Sequence, residues 1–156
     1  MVQSALYRYF ILLPVLILPF AGKSQSTEKA PQNQGIVFIE GSWNEALRQA
    51  KLQNKCIFVD AYATWCMPCT LLKSITFQNK KAAAFYNENF INLAMDMERG
   101  EGPALADTWG IQSYPTMIIF DQEGNVVLGA IGYINARNLI NFGKQALIKH
   151  AANTRN

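Results

Sequence analysis

Seven consecutive residues, Cys56–Tyr62 (CIFVDAY), constrain the fold of this chain more than any other stretch. They are β-branched, aromatic and almost wholly apolar, bounded by Lys55 and by a Thr64-Trp65 turn. A strand with one face in water alternates apolar and polar residues. A continuous apolar run belongs to a strand covered on both faces. The chain must therefore place this strand centrally in a sheet and supply helices to both sides of it. Asp60 is the single charge in the run, and a carboxylate at such a position needs a reason to be there.

The flanking segments supply those layers. Residues 36–39 are a short apolar run that reads as an edge strand. Ser42 and Glu45 have the Ser-x-x-Glu spacing of a capping box, so a helix should start near Trp43 and run to about Gln53, with Asn54 as its stop. Helices are also expected over residues 66–75 and 80–87, the second favoured by Ala82, Ala83 and Ala84. Residues 90–95 read as a strand, and Pro103 and Gly110 mark the ends of a further helix. Thr116–Phe120 and Val126–Ile131 are strands joined by a hairpin turn at residues 121–125. Asn135 can cap a final helix to about Ala151, with Leu139, Ile140, Gly143 and Leu147 as its apolar stripe. The order β, α, β, α, β, α, β, β, α predicts an α/β fold, a central mixed sheet of about four to five strands flanked by helices on both faces.

Composition removes several alternatives. With 156 residues, 50% of them hydrophobic and 16% charged, the chain holds one ordinary domain and is too apolar to be disordered. A net charge of +3 is too small for an electrostatic nucleic-acid binder. The apolar residues are uneven. Residues 10–21 read FILLPVLILPFA, twelve without a charge, preceded by Arg8 and followed by Gly22-Lys23-Ser24. That is the layout of a secretory signal peptide over residues 1–24, cleaved after Ser24 or, alternatively, after Ala21. The run is short for a membrane span, though an uncleaved anchor is the other reading. Without residues 1–24 the chain has 132 residues, with 12 basic against 11 acidic side chains. Residues 25–35 then form a flexible polar lead-in, 36–151 the domain and 152–156 a tail.

At the end of the central strand stands Trp65-Cys66-Met67-Pro68-Cys69. A cysteine opening a helix meets unpaired N–H groups that favour its thiolate. The second cysteine, three residues on, lies close enough to close a disulfide, and Pro68 is tolerated in the first turn because its missing N–H would be unbonded anyway. Such a pair could be half of a zinc site, but only Cys56 and His150 remain as further ligands, one in a strand and one near the end of the last helix, so no metal is expected. A purely structural disulfide would gain little from so short a loop, and the expected exposed helix start favours reactivity. Cys56 reads as a small buried hydrophobe. Glu98 and Arg99 read as solvated charges.

Taken together these residues resemble the thioredoxin family. Asp60 stands six residues before Cys66 in VDAYATWCMPC, similar to the family's strand-to-active-site signature. Tyr114-Pro115-Thr116, ahead of an apolar strand, is similar to its cis-proline loop, and Gly132 fits the glycine near that end. The resemblance covers about residues 36–150. The two-piece helix, the FYNENF stretch and the MERGEGP loop look more like secreted or periplasmic members, among them the thioredoxin-like domain of bacterial thiol:disulfide interchange proteins. The resemblance implies a thioredoxin fold in which Cys66 is the nucleophile, Cys69 the resolving thiol and Asp60 the buried proton acceptor for Cys69. It implies a substrate groove from Trp65, Met67, Pro68, Tyr114, Pro115 and Thr116, with Pro115 in cis. No prosthetic cofactor is needed, because the Cys66–Cys69 pair is the redox centre.

Four positions depart from the best-known pattern: Met67 for glycine, Thr70 for lysine, Asn92 for the lysine that accompanies the buried aspartate, and Tyr114 for isoleucine. They bear on the thiolate environment and the groove and leave the chemistry in place. The expectation is an exported, monomeric thiol–disulfide oxidoreductase acting on protein thiols and disulfides, as a reductant. A reductant in an oxidising compartment needs electrons from elsewhere, which implies a membrane electron-transfer partner. The alternatives are a disulfide-donating oxidase or isomerase, and a non-enzymatic module whose disulfide is structural.

Overall fold

The computed structural model describes residues 35–40 and 42–155. The expected signal segment and residues 25–34 of the lead-in lie outside the described residues. In chain order the strands are β1 (Ile39–Glu40), β2 (Cys56–Tyr62), β3 (Phe90–Asp96), β4 (Thr116–Phe120) and β5 (Val126–Ile131). They form one five-stranded sheet ordered β1-β3-β2-β4-β5. β3 runs parallel to both β1 and β2, whereas β4 and β5 are antiparallel. The sheet is mixed, as expected, and β2 is its middle strand.

The two-sided burial read from β2 has a concrete form. Ile57, Val59 and Ala61 face one cluster with Ala46 and Ala50 of α1 (Trp43–Gln53) and Trp109 of α4 (Gly102–Trp109). Cys56 and Phe58 face the other, with Leu72, with Tyr86 of α3 (Lys80–Asn89), and with Leu139 and Phe142 of α5 (Ala136–Asn153). Alternation along the strand puts Asp60 and Tyr62 on this second face. Helices thus cover both sides.

Local chemistry explains where elements begin and end. Ser42 Oγ accepts the Glu45 N–H at 3.3 Å, and Asn54 ends α1 with φ 51°. The reciprocal half of the capping box is not made. Glu45 turns instead to Arg48, at 2.6 and 2.8 Å, because a guanidinium one turn on offers a two-pronged charged partner. The edge strand is shorter and later than expected. Residues 36–38 leave the ladder because other groups take their backbone: Ile36 N–H donates to the Phe77 carbonyl, and Val37 N–H donates to Asn87 Oδ1. The helix expected over 66–75 divides into α2 (Met67–Leu71) and a π-helical turn, Leu72–Thr76, closed by Phe77 N–H on the Leu72 carbonyl at 2.8 Å. α5 extends to Asn153, so Ala152 and Asn153 belong to it and not to a tail. Its buried stripe is Leu139, Phe142, Gly143 and Ala146, with Ile140 and Leu147 only partly buried. Gly143 is required there, because a Cβ would come within 2.7 Å of the Phe85 ring. Among the described residues no helix is long and apolar enough to cross a membrane.

Candidate active site

β2 and β3 run parallel, with Tyr62 opposite Asp96, so the loops leaving their C-terminal ends lie side by side. The first of these carries Trp65 and the cysteines. Cys66 is the N-cap of α2, and its Sγ accepts the Cys69 N–H at 3.2 Å. Cys66 and Cys69 are joined in a disulfide with a Cα–Cα distance of 5.3 Å. The two sulfurs are not equivalent. On reduction the Cys69 N–H already stands where a Cys66 thiolate would need a donor, and a hydrogen bond to an ionised sulfur favours that form.

Both cysteines are only 2% exposed, packed with Ala63, Tyr62 and Tyr114. This corrects the expected exposed helix start. The Cys66 N–H donates to the Ala63 carbonyl at 3.1 Å, which folds the turn back and recesses the pair. What is exposed is the rim: Trp65 at 70% and Met67 at 69%, with Pro68 beside them. Tyr114 closes the opposite side, its ring 6.0 Å from that of Trp65 in an edge-on arrangement. The Tyr114–Pro115 peptide is cis, and the Pro115 carbonyl accepts the Gly132 N–H at 2.8 Å. Gly132 sits at φ 87°, which only glycine adopts freely. Thr116 is buried, and its hydroxyl is used internally, on the Ser113 carbonyl at 2.7 Å.

Asp60 is fully buried, and neither carboxylate oxygen has a hydrogen-bond partner. Burial pushes its carboxyl up to about 7, held back by the positive charge of Lys73 and pushed further by Glu40. Glu40 and Asp60 flank Ala94 on neighbouring strands. Lys73 Nζ stands 3.0 Å above the Tyr62 ring. A cleft of about 190 Å³ opens on this face, with Glu40, Lys73, Gln78 and Ala94 in its lining. Asn92 is occupied elsewhere, donating to the Val37 carbonyl, so the cation acting on Asp60 comes from the helix and not from β3.

Two residues given no role in the site by the sequence belong to it: Glu98, expected only as a solvated charge, and Lys73. Glu98 accepts the Trp65 indole N–H with both carboxylate oxygens, at 3.0 and 2.9 Å. The parallel register of β2 and β3 was the signal that could have found it, since it brings the two loops together. Lys73 stands in the π-helical turn with its ammonium over the Tyr62 ring, and its charge acts on Asp60. Cys56 stays apart, buried and unpaired. Its thiol is pushed up to about 11 by burial, with Asp121 and Glu123 adding to the effect. At pH 8 only about one Cys56 in a thousand is therefore thiolate, and alkylation of the reduced native protein should label Cys66 and spare Cys56. Peptide mapping after a short iodoacetamide pulse checks this. Equal labelling would mean that Cys56 is neither buried nor inert.

Comparison with known proteins agrees with this geometry. The family model for the thioredoxin-like domain matches residues 43–147, and the chain belongs to that family. It is a thioredoxin-like disulfide oxidoreductase by family, with Cys66 and Cys69 as its C-x-x-C pair. It is 24% identical over 147 residues to the thiol:disulfide interchange protein DsbD of Haemophilus influenzae strain PittEE, covering 86% of this chain and 25% of that protein. The chain thus spans about a quarter of the length of that relative. Thioredoxin H5 of Arabidopsis thaliana is 31% identical over 108 residues, covering 69% of this chain and 81% of that one. Among solved structures, a protein of Bacteroides thetaiotaomicron provisionally called a disulphide-isomerase is 39% identical, with a TM-score of 0.65, covering 72% of this chain and 93% of that one.

Proposed function

We propose that this chain is an exported reductase of protein disulfides, working through a mixed disulfide on Cys66. The observation that carries the reading is the Cys69 N–H aimed at Cys66 Sγ at the mouth of the recessed pair. In the reduced protein the Cys66 thiolate attacks one substrate sulfur. The substrate S–S bond breaks, and the other sulfur leaves as a thiolate and takes up a proton. Cys69 then gives its proton, through water, to Asp60 and attacks Cys66 Sγ. The Cys66–Cys69 disulfide forms and the second substrate thiol departs. Two electrons pass from the cysteine pair to the substrate, and a dithiol donor must restore them. Trp65, Met67, Pro68, Tyr114, Pro115 and Thr116 would line the substrate path, Thr116 through its backbone because its hydroxyl is engaged.

Export is supported by the apolar segment at residues 10–21. A membrane electron-transfer partner is supported by the likeness to a single segment of the much longer interchange proteins. The chain would act as a monomer, without metal or prosthetic group. The direction of electron flow is tested by the reduction potential of the Cys66–Cys69 couple in glutathione or dithiothreitol buffers. A value near that of thioredoxin, about −270 mV, is expected of a reductase. A value near about −180 mV or above would overturn that direction and make the protein an isomerase or disulfide donor, the role suggested by the name of the Bacteroides relative.

A further inference from the structure

We infer that Glu98 determines substrate choice at this site: its carboxylate anchors the Trp65 rim and presents a negative charge that favours substrates with a basic side chain beside the reacting cysteine. This rests on the thiol-exchange reading of Cys66.

The geometry is specific. Trp65 is the most exposed part of the rim, so packing alone holds its indole only loosely. Its N–H is shared between both oxygens of Glu98, while its ring meets Tyr114, which packs on the cysteine pair. A carboxylate offers about four acceptor positions, so one shared indole hydrogen leaves most of them open. The other charged side chains of this loop have contacts of their own. Asp96 pairs with Arg99 at 3.5 Å, and Glu101 accepts the Trp43 N–H at 2.7 Å at the start of α1. Lys73, on the helical segment after the cysteines, is engaged over the Tyr62 ring. Among the described residues neither Glu98 nor Glu101 makes an ion pair, and of the two it is Glu98 that is bonded to the Trp65 rim. Glu98 also acts, with Asp96, on the Tyr114 phenol, whose ionisation is pushed up by burial and by both carboxylates.

Recession of the cysteines turns this charge into a filter. A substrate sulfur reaches Cys66 only if the residues flanking it lie across Trp65 and Tyr114. A lysine or arginine there meets Glu98 favourably, and a glutamate meets a like charge. Solvent-exposed pairs of this kind are individually weak, so attraction and repulsion together should separate the two substrate types by about fivefold at low ionic strength.

The test uses the reduced protein carrying Cys69→Ser, which can attack but cannot resolve. Two short peptides with one cysteine, flanked by lysine in one and glutamate in the other, are each activated as the mixed disulfide with nitrothiobenzoate. Cys66 thiolate attacks the peptide sulfur, the bond to the aryl sulfur breaks, and the coloured aryl thiolate leaves with the electron pair. Rates are divided by those of a small neutral thiol on the same peptides, which removes their intrinsic reactivity. The lysine peptide should react about fivefold faster, and the ratio should fall toward one in high salt. Glu98→Gln keeps a carbonyl acceptor for the indole but drops the charge, and should also bring the ratio to one. Glu98→Ala should in addition slow both peptides, since Trp65 loses its anchor. Equal rates in the parent, or a preference that survives Glu98→Gln, overturns the assignment alone. No aryl thiolate released from either peptide overturns the exchange reading of Cys66, and the assignment with it.

Discussion

Serine in place of Cys66 should abolish reduction of protein disulfides, lowering kcat/KM by at least about 10³-fold, as removal of a covalent nucleophile does. Serine in place of Cys69 should instead leave the first attack intact and halt the reaction with substrate attached through Cys66. The difference follows from which sulfur the backbone prepares. The Cys69 N–H points at Cys66 Sγ, and Cys66 stands at the N-cap while Cys69 is inside the first turn. A thiolate at Cys66 thus gains a donor. The measurement is a non-reducing gel of each variant after incubation with a disulfide-containing protein. A covalent adduct should appear for Cys69→Ser and be missing for Cys66→Ser. The reverse pattern would exchange the two roles. Full turnover by both variants would overturn the mechanism, since each lacks half of the Cys66–Cys69 pair, whereas no adduct and no loss of folded function in either would leave the disulfide a structural staple.

The central part of this site is legible in the sequence because it is local. Cys66, Met67, Pro68 and Cys69 lie in four consecutive positions, and β2 announces itself by seven residues without alternation. Strand ends and caps with a single-residue signature were equally readable, as Asn54 and Gly110 show, both in the left-handed region. Non-local choices were less readable. Residues 36–38 look like strand by composition, yet Asn87 and Phe77 compete for their backbone groups, and those partners come from elements far along the chain. The π-helical turn after α2 leaves no mark in residue type; it buries Leu72 and Thr76, and Thr76 donates to the Ile134 carbonyl of a segment far along the chain. Glu98 looks like any loop carboxylate until the register of two parallel strands is known. The family's lysine beside the buried aspartate is replaced on β3 by Asn92, a departure plain in the sequence. The charge is supplied from the helix instead, by Lys73.

Asparagine in place of Asp60 should make the protein more stable at neutral and alkaline pH and, at the same time, a slower enzyme. The carboxyl titrates at about 7 in the folded protein against an ordinary value of 3.8, because burial disfavours its charged form. A group with a raised folded value contributes its full stability below about pH 4. That contribution is lost as pH rises toward about 7 and is gone above it, where the native state must hold a buried charge. The separation between the two values corresponds to about 4 kcal/mol. The Asp60→Asn variant lacks this loss, so above about pH 7 it should exceed the parent by up to about 4 kcal/mol, a rise in Tm of about 10–15 °C for a domain of this size. Below about pH 4 the two should converge. Denaturant unfolding under acidic, near-neutral and alkaline conditions follows the difference, and the neighbouring charges give it sign checks. Glu40→Gln should shrink the alkaline loss, and Lys73→Met should enlarge it. Catalysis should move the other way. With no acceptor for the Cys69 proton, resolution of the mixed disulfide should slow by about 10²-fold near neutrality, the usual worth of a positioned base, and recover as hydroxide becomes available at higher pH. Stability gained without rate lost would mean that Asp60 is buried for another reason and that Cys69 is deprotonated directly by water. Rate lost with no gain in alkaline stability would mean that Asp60 is not held against its own ionisation, and the physical basis for its role as a base near neutrality would fall.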